Sequence, residues 1–183
     1  MHLFLTGSVQ IGKTTALNKT LKLLDVTPGG FRTYFGADRK SPHRYLYMSS
    51  AAEPRAFTPE HAIVEFSQDE NGAPVRSILP RFEELGLQYL AEAPSYPLIV
   101  LDECGRLEQK LPRFRARVLE LLEGDTPILG VVRQDAMGWL EEIRNHPKVQ
   151  LITVTEQNRD ELPQQLTRYY APFIQSPKSP KEE

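Results

Sequence analysis

This sequence contains little cysteine and histidine, and its positive and negative charges nearly cancel. Cys104 is the only cysteine among 183 residues, which excludes an intramolecular disulfide and a multi-cysteine metal site. The four histidines are scattered along the chain. Lysine and arginine number 22 against 24 acidic residues, for a formal net charge of −2, and no basic stretch is interleaved with aromatic residues. We therefore expect no nucleic-acid partner.

Long apolar runs are also missing. The N-terminal run of residues 3–5 has no basic leader and is too short for a signal peptide or a membrane span, so we expect a cytoplasmic protein with no membrane partner. The chain shows no internal repeat and no low-complexity linker, which predicts one domain over residues 1–174. Residues 175–183 contain two prolines and no apolar side chain after position 175, so we expect a disordered tail.

One glycine-containing segment indicates a function. Residues 7–14 (GSVQIGKT) match G-x-x-x-x-G-K-[ST] in full and follow the apolar run. Glycines let the backbone wrap an anion, so that its N–H groups and the next helix N-terminus point at phosphates. Lys13 would then reach the β- and γ-phosphates, and the Thr14 hydroxyl would bind Mg²⁺. The predicted nucleotide contacts are Gly7, Ser8, Val9, Gln10, Ile11, Gly12, Lys13, Thr14 and Thr15.

Two carboxylates follow a second apolar run, over residues 98–101. This pattern is typical of a Walker B strand, in which Asp102 would lie near Thr14 and hold the Mg²⁺. Glu103 points to the other side of the strand, where a carboxylate can orient or deprotonate the water that attacks the γ-phosphorus. The alternative is that both carboxylates only end a strand in solvent.

Hydrolysis also needs a cation at the γ-phosphate, and arginine is the usual source. The candidates are Arg106, just past the two acids, and Arg133, which follows the apolar run 128–132. Arg32 is a weaker candidate. A solvated surface arginine is the alternative for each of them.

Hydrophobic periodicity predicts an α/β fold. Helical spacing covers residues 13–24, 82–90, 108–123, 137–143 and 162–170, and apolar or alternating runs predict strands at 3–5, 31–35, 44–48, 62–67, 75–79, 98–101, 128–132 and 149–154. A turn at residues 69–72 predicts an antiparallel hairpin. The expected architecture is a three-layer domain with a mostly parallel central sheet plus antiparallel hairpin strands.

The chain as a whole resembles the small nucleoside-triphosphatases of the cancer-related or thermophile-named type. The resemblance rests on residues 7–15, 30–33 (GFRT), 102–108 (DECGRLE), 130–132 (GVV) and 158–163 (NRDELP), in family order. It implies Mg²⁺-dependent hydrolysis of nucleoside triphosphates (ATP, GTP, CTP and UTP) with little preference among bases. We further expect a RecA-like P-loop fold and a monomer. Glu108 matches the family's second glutamate. Cys104 stands where an aliphatic residue is expected, and we predict that it is a small core residue.

Two other functions use the same loop: a nucleotide or small-molecule kinase, and a nucleotide-gated switch with slow turnover. Glu103 favours hydrolysis over kinase chemistry, because a kinase has less use for a water-activating acid. No base-reading motif is recognisable, although Arg159, Tyr169 or Tyr170 could stack on a base.

Overall fold

The computed structural model describes residues 1–134 and 137–175, which form one eight-stranded sheet with helices on both faces. In chain order the elements are β1 (His2–Thr6), α1 (Lys13–Leu24), β2 (Gly29–Phe35), β3 (Arg44–Ser50), β4 (Ala62–Gln68), β5 (Pro74–Ile78), α2 (Arg81–Glu92), β6 (Ile99–Cys104), α3 (Pro112–Glu123), β7 (Ile128–Val132), α4 (Trp139–Arg144), β8 (Val149–Thr153) and α5 (Leu162–Gln175). The predicted disordered tail lies outside the described residues, apart from Gln175, which ends α5.

The sheet has a parallel part and an antiparallel part. Its strand order is β5-β4-β3-β2-β6-β7-β1-β8, and the strands from β2 to β8 in this order run parallel. Strands β3, β4 and β5 continue the sheet as an antiparallel meander. The predicted hairpin is confirmed, with Val64 opposite Ile78 across β4 and β5.

Alternation along the buried strands separates two apolar cores. In β1, Leu3 and Leu5 pack with α1 and α5 on one face, while Phe4 packs with α2, α3 and α4 on the other. The Phe4 ring fills the space beside Gly130 of β7, where a built Cβ would lie 2.2 Å from the ring. The three predicted layers are therefore present, and Cys104 is fully buried in the second of these cores, as expected for a small core residue.

The structure corrects two predicted helices. The helix predicted from residue 108 begins at Pro112, because a proline is favourable at the first helical position, and a 3₁₀ turn occupies Leu107–Lys110. Met137 precedes α4 and is 75% exposed, so it is not part of that helix's apolar face. Across the described parts of the chain, no helix has the length and apolar character that a membrane crossing requires.

The parallel strands bring the predicted site together at one edge of the sheet. Strand β1 ends at Thr6, β6 at Cys104 and β7 at Val132, so the loop after β1, the two acids of β6 and Arg133 all lie at carboxyl ends. In open parallel sheets, ligands bind outside this edge.

Candidate active site

The loop between β1 and α1 has a backbone that only glycine fits at its two ends. Gly7 has φ +132° and Gly12 φ +116°, and a Cβ at Gly7 would lie 2.7 Å from the carbonyl oxygen of Val154. No side chain caps α1, and its first turn contains no acidic residue. The positive end of the helix dipole therefore faces the loop, as in an anion-binding site.

Lys13 places its ammonium inside this loop. Its Nζ donates hydrogen bonds of 2.9 Å to the carbonyl oxygens of Gly7 and Ser8, and the residue is only 9% exposed. The side chains of Ser8, Val9 and Gln10 point into solvent. The loop therefore offers backbone groups and one cation to a ligand.

Thr14 and Asp102 form the oxygen pair predicted to hold a metal ion. The Thr14 hydroxyl donates a 3.0 Å hydrogen bond to Oδ1 of Asp102. Asp102 is 2% exposed, and its burial raises the pKa of the carboxyl group to about 6, although the Thr14 hydrogen bond and the Arg32 charge act to lower it. A buried carboxylate beside a hydroxyl fits a hard divalent cation such as Mg²⁺, which takes one or two carboxylates plus phosphate oxygens and water. Residues 1–134 and 137–175 contain no cluster of three His, Cys, Asp or Glu side chains suited to a metal.

Glu103 lies on the other side of the strand, at the rim of a cavity of about 360 Å³. The loop residues 7–9, Lys13 and Arg133 line the same cavity. Thr33 of β2 fixes the two acids: its hydroxyl donates to the carbonyl oxygen of Asp102 and accepts from the backbone N–H of Glu103, both at 3.3 Å. The peptide bond between Asp102 and Glu103 is cis.

Glu108 is a buried acid outside this cavity. It is 3% exposed, and its Oε2 accepts a 3.1 Å hydrogen bond from the backbone N–H of Gly105. The carbonyl oxygen of Gly105 accepts from the Trp139 indole at 3.0 Å. Burial raises the pKa of Glu108 to about 7, although backbone N–H hydrogen bonds to its carboxyl group, including that from Gly105, and the nearby Arg133 charge act to lower it. Glu108 thus anchors the turn that follows Glu103.

The raised pKa of Glu108 predicts a pH-dependent stability. The folded protein holds this proton more tightly than the unfolded chain, whose pKa is about 4.5, so the contribution of Glu108 to stability falls as the pH rises from about 4.5 to about 7. Glu108→Gln keeps an oxygen acceptor for Gly105 but cannot ionise. We measure the free energy of unfolding of both proteins by urea titration. The value for the variant minus that for the parent should increase by at most about 3 kcal/mol when the pH is raised from 4.5 to 8.

Exposed Glu84→Gln is the matched control and should show no such gain. Because Asp102 titrates in the same direction in parent and variant, the difference between the two isolates Glu108. A difference that stays constant across this pH range would show that the Glu108 pKa is not raised.

The three candidate arginines lie in different surroundings. Arg133 lines the cavity over the loop, whereas Arg106 lines an adjoining cavity beyond Glu103. Arg32 is half-buried near Asp102 and Arg55, and burial lowers the pKa of its guanidinium while the Asp102 charge acts to raise it. Arg133 shares the cavity over the loop with Lys13, whereas Arg106 does not line that cavity.

Four residues near the site were not predicted from the sequence. Phe35 and Arg39 line the cleft beside Thr14 and Glu103, Gln134 lies next to Arg133, and Thr33 joins the two acids. A signal for three of them was available, because Thr33 and Phe35 end β2 and Arg39 follows that strand at the same edge of the sheet as the loop.

The predicted base contacts are wrong for the tyrosines. Tyr170 is buried, and its hydroxyl donates to the Ile128 carbonyl oxygen at 2.6 Å, at the opposite edge of the sheet. The Tyr169 hydroxyl donates to the carbonyl oxygen of Met1, also far from the loop. Helical periodicity identified this apolar face correctly but gave no information on which sheet edge it approaches. Arg159 does lie at the loop, with its Cδ 3.8 Å from a Cβ built at Gly12.

Comparisons with known proteins agree with this geometry. The sequence profile of a family described as NTPase matches residues 2–167. The nucleoside-triphosphatase THEP1 of Thermofilum pendens is 31% identical over 191 aligned positions, which cover 94% of this chain and 97% of that protein. The cancer-related nucleoside-triphosphatase of Homo sapiens is 29% identical over 183 positions, covering 88% and 92%.

Two solved structures share the fold. The solution structure of a human cancer-related nucleoside triphosphatase matches with a TM-score of 0.69 and 26% identity, over 97% of this chain and 99% of that chain. The crystal structure of THEP1 from Aquifex aeolicus matches with a TM-score of 0.73 and 21% identity, over 93% and 99%, which supports the fold alone. The profile match, the Thermofilum relative and the loop geometry agree: this chain belongs to the NTPase family of small P-loop α/β proteins.

Proposed function

We propose that this protein is an enzyme that hydrolyses the β–γ bond of nucleoside 5′-triphosphates, with Mg²⁺, to give a nucleoside diphosphate and phosphate. The observation that supports it most is the shared cavity of Lys13, Glu103 and Arg133 above the loop. Relatives from archaea to human carry the name nucleoside-triphosphatase, which points to the same reaction.

Each group in the cavity has one role in this proposal. Backbone N–H groups of residues 7–15 and the Lys13 ammonium bind the phosphates. Glu103 accepts the proton of the attacking water and directs that water toward the γ-phosphorus. Arg133 offsets the negative charge that develops on the γ-phosphoryl oxygens. Arg106 does not line this cavity, so Arg133 is the better candidate for that role.

Thr14 and Asp102 would hold the Mg²⁺ of the nucleotide. The bound ion would supply charge neutralisation at the β- and γ-phosphates. Its proximity would also favour the ionised form of Asp102, whose pKa burial otherwise raises to about 6.

Removal of the metal tests the proposal directly. The purified chain should release phosphate from ATP with Mg²⁺ and lose this activity in EDTA, with recovery when Mg²⁺ is returned in excess. A colorimetric phosphate assay measures both states. Release that is unaffected by EDTA would contradict the metal role of Asp102, and no release from any triphosphate would contradict the hydrolase proposal.

We also propose that the base contributes little to substrate choice. The loop and Lys13 would contact only the triphosphate, as would a metal held by Thr14 and Asp102, and all substrates share that group. Arg159 lies against Gly12, where it could offer a stacking contact that any base can make. The specificity constants for ATP, GTP, CTP and UTP should therefore lie within about tenfold of one another, or roughly 1.4 kcal/mol. Parallel steady-state assays measure the four constants. A preference beyond about a hundredfold would reveal a dedicated base contact.

A further inference from the structure

A second cavity adjoins the first on the far side of Glu103. It has a volume of about 330 Å³, within the range of about 300–1,000 Å³ typical of small-molecule sites. Glu103 and Arg133 line both cavities, so whatever occupies the second one lies beside the groups proposed to act on the γ-phosphate.

The lining of this second cavity is apolar at its base. Phe35, Leu46, Phe66 and Leu107 are half-buried and present apolar surface to it, and Phe82 lies beneath them at 1% exposure. Half-buried aromatic side chains in a concave site are suited to a flat apolar group.

The rim of the cavity is cationic. Arg76, Arg106 and Arg133 line it, and a further cavity beyond it is lined by Arg76, Arg106 and Lys110. Two carboxyl groups also reach the second cavity, from Glu103 and Glu108, and burial raises the pKa of Glu108 to about 7. The planar guanidinium group of arginine can donate two parallel hydrogen bonds to phosphate oxygens. Glu103 can accept hydrogen bonds from hydroxyl or amino groups.

Aromatic rings contact the neighbouring arginines and orient their guanidinium groups without neutralising their charge. The guanidiniums of Arg44 and Arg76 lie 4.8 Å and 5.4 Å from the centroid of the Phe66 ring, and that of Arg39 lies 5.9 Å from the Phe35 ring. Within residues 1–134 and 137–175, Arg39, Arg44 and Arg76 form no ion pair with a carboxylate. Of these three, Arg76 lines the second cavity, so the Phe66 ring orients a cation that is available to an anion there.

We propose that the second cavity binds a mononucleotide-like ligand, with its phosphate at Arg76 and Arg106 and its ring against Phe35 and Phe66. The proposal rests on the proposed function only in that a triphosphate occupies the loop.

In this proposal, the ribose and base of the triphosphate lie on the Arg159 side of the loop. Lys13 and Glu103 line the first cavity, where we place the γ-phosphate, whereas Arg159 lies against Gly12 at the start of α1. Phe35, Glu103 and Arg133 line both the second cavity and the cleft beside the loop, whereas the loop residues and Arg159 do not line the second cavity. We therefore place its ligand next to the γ-phosphate and not at the position of the triphosphate's own base.

Calorimetric titration with the loop already filled tests the proposal. The full chain is saturated with Mg²⁺ and a non-hydrolysable triphosphate analogue, and a nucleoside 5′-monophosphate is then added. We expect one further equivalent to bind. Ribose 5-phosphate, which lacks the ring, and the free nucleoside, which lacks the phosphate, should each bind at least tenfold more weakly. Absence of monophosphate binding, or equal binding of ribose 5-phosphate, would overturn the proposal.

A variant locates the binding. Arg76 is exposed on β5, so Arg76→Ala should fold, and it should weaken monophosphate binding by roughly tenfold to a hundredfold, as loss of a charge-assisted contact does. Arg168→Ala, at an exposed position on α5, is the matched control and should bind like the parent. Triphosphate hydrolysis without added monophosphate should be unchanged in both variants. Equal monophosphate binding by Arg76→Ala and the parent would overturn the assignment, whereas a parent that binds monophosphate but hydrolyses nothing would contradict only the proposed function.

Discussion

Replacement of Lys13 by alanine is expected to abolish tight binding of nucleoside triphosphates. The Lys13 ammonium lies inside the loop, 2.9 Å from two backbone carbonyl oxygens, and a phosphate there would receive a charge-assisted hydrogen bond. Loss of such a contact costs about 1.5–3 kcal/mol, which corresponds to roughly 10- to 150-fold in affinity. Titration of a labelled triphosphate into the variant measures the change.

Lys19→Ala is the control, because Lys19 is an exposed lysine on the same helix, α1. Both variants should keep the parent's circular dichroism spectrum, since neither side chain fills a core. If Lys13→Ala binds triphosphate as tightly as Lys19→Ala does, the loop is not the phosphate site and the proposed function fails with it.

Replacement of Glu103 by glutamine should separate binding from turnover. Glutamine keeps the shape and hydrogen bonding of the side chain but removes the base, so affinity should stay near the parent value while turnover falls by roughly 10²- to 10⁴-fold. Single-turnover measurement of phosphate release with enzyme in excess gives the rate of the chemical step. Glu156→Gln, an exposed glutamate away from the cavity lining, should retain the parent rate.

Asp102→Asn provides the contrasting result. Since Asp102 lies beside Thr14 and is proposed to hold the metal, its loss should weaken Mg²⁺-dependent binding and turnover together. A single-turnover rate for Glu103→Gln equal to that of the parent would remove Glu103 as the base. The buried Glu108 would be the next acid to test.

The local pattern of apolar residues was sufficient to predict most of the secondary structure. The helix Lys13–Leu24 and the strand Ile128–Val132 begin and end where the periodicity predicts, because their buried faces repeat at helical or continuous-strand spacing. The β4–β5 hairpin was also predictable, from the turn at residues 69–72. The glycine-containing loop was recognisable because backbone conformation restricts its residue types.

Long-range neighbours were not predictable in this way. Thr33 meets the two acids only because β2 pairs with β6, and the sheet order that places them together has no local signature. For the same reason, the sequence did not distinguish Arg106 from Arg133, nor did it show that Tyr170 belongs to the far edge of the sheet. Periodicity identifies a buried face, whereas the partner of that face depends on the order of the strands.

The unequal burial of the strands has a consequence for rigidity. Every residue of β1 and β7 is buried, while four of the five residues of the edge strand β5 are exposed. Strands covered on both faces open only when the whole domain unfolds, but a solvated edge strand frays at a small fraction of that free energy. The loop of residues 7–12 therefore follows a strand that is buried along its whole length, whereas Arg76 stands on an exposed edge strand. One side of the active-site edge is suited to holding geometry fixed, and the other to adjusting to ligands of different shape.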